Sequence, residues 1–191
     1  NGALFFDSRN TIENGIFLAL KGEKSDGHDF VAQSGCAFAL VEREVNFPAI
    51  VVDDVMKAAG VWAAFHRNSL GKLTVIGITG SQGKTTTKDM LAHMLSSFAG
   101  RESVVAPAGS YNNDLGLPVV LTSCTSETRF CVAEMGARHK GDISRLAATA
   151  APDIGIVLKV GNAHLGEFGS REQIAAAKSE LVTGIKSNGI A

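Results

Sequence analysis

The segment with the clearest chemical potential is a glycine-rich loop, TGSQGKTTT, at residues 79–87. It follows an apolar run and precedes a helical pattern, which is the strand–loop–helix context of phosphate-binding loops. Glycines let backbone N–H groups approach a phosphate, and the N-terminus of the next helix favours negative charge. Lys84 would neutralise the β- and γ-phosphates, and the Thr85 hydroxyl would reach Mg²⁺. The loop therefore predicts binding of ATP with Mg²⁺.

The loop departs from the usual phosphate-loop spacing. Counting back along G-x-x-x-x-G-K-[ST] from Gly83, the first glycine of the pattern falls on Ile78. The glycines stand instead at Gly77, Gly80 and Gly83. Two interpretations follow: an ordinary strand–helix turn that contains G-K-T by chance, or a variant class of nucleotide-binding protein. The strand and helix on either side favour the second.

Three further side chains could serve Mg·ATP chemistry, and each also has a plainer interpretation. Glu134 ends an apolar run before a glycine turn, so it is either a metal ligand or the first solvated residue of a loop. His164 lies in a predicted loop, where a lone histidine is usually a surface residue. Lys178 lies in a predicted helix, where most lysines are solvated.

Adjacent amides occur at Asn112 and Asn113. Amide side chains both donate and accept hydrogen bonds, which suits recognition of a peptide carboxylate near the γ-phosphate. The alternative is that Asn113 or Asp114 caps the helix that follows, and the two roles can coexist.

Composition limits the class of protein. The 191 residues are 45% hydrophobic, with a net charge of −1 and no block of like charge, which argues against a nucleic-acid partner. Three cysteines without C-x-x-C spacing suit free buried thiols better than disulfides or a zinc site. No apolar run is long enough to span a membrane, and the N-terminus does not resemble a signal peptide. We expect a cytoplasmic, monomeric protein.

Residues 1–70 contain short apolar runs typical of strands, at 15–20, 37–41 and 49–52. A helical pattern follows from Asp53 or Asp54, and it ends near residues 68–71. We predict a domain boundary there, which divides the chain into residues 1–70 and 71–191.

From residue 72, strands alternate with helices. Strands are predicted at 73–78, 129–135 and 153–160, and helices at 85–98, 141–150 and 170–185. Met90, Leu91, Met94 and Leu95 are expected to form the buried face of the first of these helices. Alternation of this kind predicts an α/β fold with a parallel sheet and right-handed crossovers. The chain ends at a predicted turn into another strand, so we expect this second domain to be truncated.

The loop resembles the ATP loop of the Mur ligase superfamily, T-G-[ST]-x-G-K-T-[TS]. Two other segments are similar to that family, EMGARHKGDI at 134–143 and GNAHLGEFG at 161–169. The resemblance implies that Glu134 and His164 bind Mg²⁺, and that Lys178 is a carbamylated lysine that completes the metal site. Lys84, His164 and Lys178 are then the catalytic residues. The implied ATP-binding residues are Thr79, Gly80, Ser81, Gln82, Gly83, Lys84, Thr85 and Thr86.

Within the superfamily, SYNNDLGLPVVL at 110–121 is similar to the branch that joins D-alanyl-D-alanine to UDP-N-acetylmuramoyl-tripeptide through an acyl phosphate. The start of the chain, FDSRNTIENGIFLALKGEKSDGHDFV, resembles the uridine-nucleotide domain of that branch and of the diamino-acid-adding branch. The implied substrate residues are Ser8, Arg9, Lys21, Asp26, Gly27, His28, Asn112 and Asn113. The alternatives are a diamino-acid or glutamate ligase of the same superfamily, a non-catalytic ATP-binding module, and a simple ATP hydrolase.

Overall fold

The structure is a computed structural model that describes residues 2–161 and 165–191, and within them it has eight strands and six helices. The strands are β1 (Leu4–Phe5), β2 (Ile16–Leu18), β3 (Phe38–Val41), β4 (Ala49–Val51), β5 (Thr74–Thr79), β6 (Val104–Val105), β7 (Phe130–Glu134) and β8 (Ile154–Val157). The helices are α1 (Val55–Ser69), α2 (Lys84–Ala99), α3 (Gly116–Thr122), α4 (Asp142–Ala150), α5 (Leu165–Phe168) and α6 (Arg171–Thr183). Short 3-10 turns lie at Gly27–Phe30 and Arg101–Ser103.

The first sheet is four-stranded and parallel, in the order β1-β2-β3-β4. Its strands are short apolar runs whose side chains alternate between two faces. Phe17 packs with Phe5 and Val41 on one face, while Leu18 packs with Val55 of α1 on the other. Both faces are buried at β1, β2 and β3, as expected for strands without polar alternation, whereas Ile50 and Val51 of the edge strand β4 are exposed.

The second sheet is also parallel, in the order β6-β7-β5-β8. Helix α2 covers one face, where Ile76, Ile78 and Val132 form a cluster with its leucines. Helices α3, α4 and α6 cover the other face, around Val75, Cys131 and their neighbours. The predicted α/β class with parallel sheets is confirmed. The carboxyl end of central β5 lies between those of β7 and β8, where open α/β sheets bind ligands.

Helix α1 packs against both sheets. Asp54 accepts a hydrogen bond from the Lys57 backbone N–H, so it is the N-cap that the sequence predicts. The helix contacts β2 and β3 on one side and α3 and α4 on the other. Hydrogen bonds reinforce this position: the Leu4 N–H donates to Thr122 Oγ1 at 3.0 Å, and His66 Nε2 lies 2.8 Å from the Cys124 carbonyl oxygen.

Helix α2 buries a different face from the one predicted. Leu91 and Leu95 pack against the sheet, but Met90 and Met94 are 62% and 65% exposed. The fully buried member of the helix is Lys88. Residues 88, 91 and 95 share one side of a 3.6-residue helix, whereas 90 and 94 lie on another. The polar lysine hid the true periodicity from the sequence pattern.

The predicted state of the cysteines is confirmed: Cys36, Cys124 and Cys131 are free and buried. None of the helices in the described part of the chain combines the length and apolarity needed to cross a bilayer.

Candidate active site

The glycine-rich loop runs from the end of β5 to the start of α2. Gly83 stands at the helix N-cap with a φ of 83°, a left-handed conformation that glycine adopts without strain. Lys84 is the first residue of α2, and its Nζ donates to the Gly80 carbonyl oxygen at 2.9 Å. The ammonium group therefore lies over the loop, beside the free backbone N–H groups of the helix N-terminus.

The segment after β8 holds the loop in place. The Ser81 N–H donates to the Lys159 carbonyl oxygen at 3.1 Å, and the Gly161 N–H donates to Ser81 Oγ at 2.9 Å. A Cβ at Gly80 would lie 2.7 Å from Leu158 Cβ, so a glycine is required there. The loop is thus a rigid cradle built against its neighbouring strand.

The unusual glycine spacing has a structural explanation. Ile78 is a fully buried residue of β5, so the loop begins after it. Gly77 is also within β5, where an added Cβ would lie 3.1 Å from Leu181 Cδ1 and from Met135 Cε. Gly77 is therefore a packing glycine, and the loop itself uses Gly80 and Gly83.

Thr79 differs from the sequence prediction of an ATP-binding side chain. It is fully buried at the end of β5, and its hydroxyl donates to the Met135 carbonyl oxygen at 2.8 Å. Because that bond connects β5 to the end of β7, the Thr79 side chain is not available to a phosphate.

Glu134 is the last residue of β7 and pairs with Ile78 in the sheet register. It is 1% exposed, and neither of its carboxylate oxygens has a hydrogen-bond partner among the described residues. The nearest cation in that part of the chain is Lys88, whose Nζ lies 3.9 Å from Oε1. A buried carboxylate with both oxygens unsatisfied, beside a phosphate-type loop, fits a hard oxygen-seeking cation such as Mg²⁺.

The metal site is not complete within the part of the chain that the structure describes. No group of three or more His, Cys, Asp or Glu side chains there is arranged to hold a metal ion. His164, which the sequence assigns to the metal, lies outside the described residues.

Lys178 is 3% exposed on α6, so it is not the solvated lysine that its helical context favours. Burial, and then the positive charge of Lys84, lower the pKa of its ammonium from 10.5 to about 8. Its Nζ lies 6.0 Å from the centre of the Phe168 ring. A lysine with a lowered pKa has a larger neutral fraction, and the neutral amine is the nucleophilic form.

Lys84 and Lys178 line the same cavity, which has a volume of about 460 Å³. Asn112 and Asn113 line it as well, so the structure brings together residues from three distant segments of the sequence. The remaining lining residues are Asp114, Gly136, Ala137, Arg138, Asp142 and Leu146.

Asn113 has the capping role that the sequence leaves open. Its Oδ1 accepts hydrogen bonds from the N–H groups of Gly116 at 2.8 Å and Leu115 at 3.2 Å, where α3 begins. Asn112 is held through its backbone, since its carbonyl oxygen accepts the Gly136 N–H at 2.8 Å. Both residues line the cavity, so capping and ligand contact are compatible.

A second cavity, of about 650 Å³, opens on the first sheet. Ser8, Arg9, Lys21 and Gly27 line it together with apolar residues. The Arg9 guanidinium makes two 2.8 Å hydrogen bonds to Asp7, and these bonds lower the pKa of Asp7 to about 2. The Arg9 side chain is 86% exposed, so it can move to a ligand.

Asp26 and His28 lie behind this cavity, not in its lining. Asp26 Oδ1 lies 2.6 Å from His28 Nδ1, and His28 Nε2 accepts the Glu42 N–H at 2.8 Å. Since Nε2 accepts, the proton of the neutral ring is on Nδ1 and donates to Asp26. These residues shape the cavity wall by fixing the 3-10 turn at Gly27–Phe30.

A smaller cavity of about 260 Å³ has a lining residue in common with each of the other two. It shares Phe6 with the cavity on the first sheet and Asn113 with the cavity at the phosphate loop. The rings of Phe6 and Tyr111, which both line it, have centroids 6.5 Å apart. Shared lining residues thus relate the three cavities in a series from Arg9 to Lys84.

Comparison with known proteins decides the family. The Mur ligase middle domain matches residues 78–191, which is more than half of the chain. The chain belongs to the Mur ligase family.

Several Mur ligases are similar to this chain over nearly all of its length. A UDP-N-acetylmuramoyl-tripeptide–D-alanyl-D-alanine ligase of Mycobacterium bovis is 44% identical over 98% of this chain and 41% of its own length. A crystal structure of MurF from Acinetobacter baumannii has a TM-score of 0.86 at 42% identity, and the match covers 97% of this chain and 42% of that one. MurF ligase from Thermotoga maritima in complex with ADP also has a TM-score of 0.86, at 34% identity over all of this chain and 45% of that one. The chain thus spans about two fifths of the length of these Mur ligases.

Sequence reasoning missed several residues of this Mur ligase site. Arg138 lines the cavity at the phosphate loop, and its side chain makes no hydrogen bond or ion pair within residues 2–161 and 165–191. Asp142 and Glu180 order the turn that carries Arg138 by accepting backbone N–H bonds. Lys88 lies beside Glu134. The basic run ARHKGD was the available signal for the turn, but no pattern indicated that Lys88 would be buried.

Proposed function

We propose that this chain carries the nucleotide-substrate and ATP sites of a ligase that joins D-alanyl-D-alanine to UDP-N-acetylmuramoyl-tripeptide, forming ADP. The observation that carries the proposal is the series of three cavities from Arg9 to Lys84, in which neighbouring cavities share Phe6 and Asn113. A long substrate with a nucleotide at one end and a peptide carboxylate at the other suits a series of this kind. The names of the similar Mur ligases supply the identity of that substrate.

Residues 1–70 form a uridine-nucleotide domain and residues 71–191 an ATP-binding domain in this proposal. Ser8 and Arg9 bind the diphosphate, because the planar guanidinium donates paired hydrogen bonds to phosphate oxygens. Lys21 and Gly27 line the nucleotide cavity, and Asp26 with His28 holds its wall.

The ATP phosphates bind the loop from Gly80 to Thr86, where backbone N–H groups and Lys84 balance their charge. Glu134 is the described residue best placed to hold Mg²⁺, because its two oxygens are buried and unsatisfied. Thr85 and His164 are its further proposed ligands. The metal would neutralise charge on the transferring phosphate.

Lys178 enters the proposal as a carbamate, an anionic oxygen ligand made from its neutral amine and carbon dioxide. Two observations support this: the amine is buried, and its pKa is lowered to about 8. A protonated Lys178 would place a second positive charge near that of Lys84. The repulsion between the two charges is one cause of the lowered pKa of Lys178, and conversion to an anionic carbamate removes it.

The proposed reaction begins at the cavity that Asn112, Asn113 and Lys84 line. The terminal carboxylate of the tripeptide attacks the γ-phosphate of ATP, ADP leaves, and an acyl phosphate forms. The amine of D-alanyl-D-alanine then attacks the acyl carbon, loses a proton, and displaces phosphate to leave an amide. The protein's contribution is alignment and charge stabilisation. The asparagine amides orient the terminal carboxylate of the tripeptide, and Lys84 stabilises the negative charge on the phosphoryl group as it is transferred.

The experiment is ADP release by the full-length gene product given UDP-N-acetylmuramoyl-tripeptide with and without D-alanyl-D-alanine. We expect turnover that requires both. Turnover without either substrate would make the protein an ATP hydrolase. Turnover with UDP-N-acetylmuramoyl-dipeptide and a diamino acid would place it one step earlier in the same chemistry.

Lys84→Ala tests the loop assignment. We expect this substitution to abolish ADP release while the nucleotide-peptide still binds, because Lys84 does not line the Arg9 cavity in which the nucleotide end is proposed to bind. Lys72→Ala is the matched control, since Lys72 is an exposed lysine ahead of β5. Near-normal ligation by Lys84→Ala would refute the assignment.

A further inference from the structure

Lys88 is a lysine with no exposed side-chain surface, one helical turn after Lys84 on the face of α2 that meets β7. Lysine is among the residues least often fully buried, because an unpaired ammonium in the protein interior is costly. A buried lysine therefore calls for partners that account for its charge.

The Lys88 ammonium has partners of two kinds. It donates hydrogen bonds to the backbone carbonyl oxygens of Pro107 and Gly109, the second at 3.3 Å. The carboxylate of Asp89 forms an ion pair with it, at 3.1 Å from Nζ.

Glu134 is a neighbour of a different kind. Its Oε1 lies 3.9 Å from Lys88 Nζ, which is within ion-pair range but beyond a hydrogen bond. Asp89 has a 65% exposed side chain and so is largely solvated, whereas Glu134 is buried. Lys88 thus supplies Glu134 with a compensating charge and leaves both carboxylate oxygens open.

We propose that Lys88 is a positioning residue that serves as the resident counter-ion of Glu134. It makes a buried, ionised carboxylate possible without occupying the oxygens that a metal needs. By the same contacts it fixes residues 107–109, which lead into Asn112 and Asn113. The metal part of this inference rests on the proposed role of Glu134, while the charge pairing does not.

The plainer alternative is that Lys88 only anchors residues 107–109. The two roles separate by substitution. Lys88→Met removes charge and donors together, whereas Lys88→Gln keeps an amide that donates hydrogen bonds and removes only the charge. Glu134→Gln removes the charge that Lys88 is proposed to balance.

The first measurement is the thermal unfolding midpoint of the full-length gene product, without metal, for Lys88→Met and Lys88→Gln, each made alone and in combination with Glu134→Gln. We expect each Lys88 substitution to lower the midpoint by about 5–10 °C when Glu134 is present, and by less than half of that in the Glu134→Gln background. Variants that fold only in the Glu134→Gln background also support the pairing. Equal losses in both backgrounds, or failure to fold in both, would overturn it.

The second measurement distinguishes a counter-ion from a structural contact. MgCl₂ is titrated in saturating ADP, and the shift in unfolding midpoint reports binding. Without the repulsion of Lys88, we expect Lys88→Gln to lower the half-saturating Mg²⁺ concentration roughly fivefold or more. An unchanged concentration in Lys88→Gln would refute the counter-ion role.

The Glu134→Gln variant separates failure of this inference from failure of the proposed function. If Glu134→Gln responds to Mg²⁺ like the wild type, Glu134 is not a metal ligand, and the metal role fails together with the Mg²⁺ part of the inference. The charge pairing is then decided by the unfolding midpoints alone. If Glu134→Gln loses the response, the Lys88→Gln titration decides the rest.

Discussion

The Arg67 guanidinium lies 2.8 Å from Oδ2 of Asp153, and the same oxygen accepts the Val75 N–H at 2.8 Å. Arg67 is near the end of α1, while Asp153 precedes β8 and Val75 is in β5. The guanidinium also donates to the carbonyl oxygens of Ala150 and Ala151 at 3.0 Å, where α4 ends. One buried arginine therefore joins α1 to the second sheet.

Loss of this arginine should destabilise the protein substantially. Arg67 is 4% exposed, so Arg67→Met leaves the Ala150 and Ala151 carbonyl oxygens without this donor and removes one of the three donors to Asp153, which keeps Val75 N–H and Lys186. We expect a loss of about 3–5 kcal/mol in the free energy of unfolding, measured by urea titration. Lys186→Met is the control, because Lys186 also pairs with Asp153 but is one-third exposed. Equal effects of the two substitutions would contradict the role of Arg67 in joining α1 to the second sheet.

In its free-amine form, before it is carbamylated, Lys178 should make the free energy of unfolding depend on pH in a defined window. Its pKa is lowered from 10.5 to about 8 in the folded chain. Between those values the unfolded chain holds the proton and the folded chain does not, so the free energy of unfolding rises with pH from about 8 to 10.5. Below pH 8 both states are protonated, and the folded chain is destabilised by the whole free energy of burying the charged ammonium. Lys178→Met should remove this rise and gain roughly 2 kcal/mol at pH 7, while ligation is lost.

The difference between wild type and Lys178→Met isolates this titration from that of other groups. Urea unfolding at several pH values between 7 and 10.5 measures it. Lys140→Met is the matched control, because Lys140 is an exposed lysine in the turn that precedes α4. A constant difference across the window would show that Lys178 titrates normally.

Gly27 should not tolerate a side chain. A Cβ there would lie 2.6 Å from the Leu20 backbone nitrogen and 2.7 Å from its carbonyl oxygen, and backbone cannot move aside easily. We expect Gly27→Ala to lower stability by about 2–3 kcal/mol and to weaken binding of the nucleotide-peptide, measured by calorimetry. At Gly71 an added Cβ meets nothing within 4 Å, so Gly71→Ala should be close to neutral. Tight binding by Gly27→Ala would argue against a nucleotide site there.

Glu180 should stabilise the N-terminus of α4. Its Oε1 accepts the Gly141 N–H at 2.7 Å and its Oε2 accepts the Ser144 N–H at 3.0 Å, so a negative charge caps the helix from a neighbouring one. Glu180→Gln should cost about 1–2 kcal/mol and loosen the turn that carries Arg138. Increased amide hydrogen exchange at residues 138–144 would report this. Glu172→Gln, on the same helix, should leave that turn unchanged.

Local signals in the sequence predicted most of the elements. Asp54 and Ser170 are the N-caps that their residue types indicate, with side chains that accept the N–H groups of Lys57 and Gln173. The apolar runs became parallel strands because a run without polar alternation must be buried on both faces. The strands β1 and β6 were missed because two-residue strands carry almost no pattern.

The sequence was weaker where a side chain's environment comes from distant parts of the chain. It placed Met94 in the core and gave no hint that Lys88 would take that position. Burial of a lysine requires partners, and these are carbonyl groups nineteen or more residues away together with a carboxylate on another element. The environment of Thr79 also comes from a distant segment, because its hydroxyl donates to the carbonyl oxygen of Met135 at the end of β7.

The sequence by itself determined the phosphate loop, the α/β alternation and the resemblance to Mur ligases, because these depend on residues close together along the chain. The tertiary structure alone decided that Arg9 and Lys84 line cavities related through Phe6 and Asn113, and that Lys178 is buried with a lowered pKa. Cavities, burial and pKa shifts are properties of packed neighbours. They exist only once the chain has brought its separate segments together.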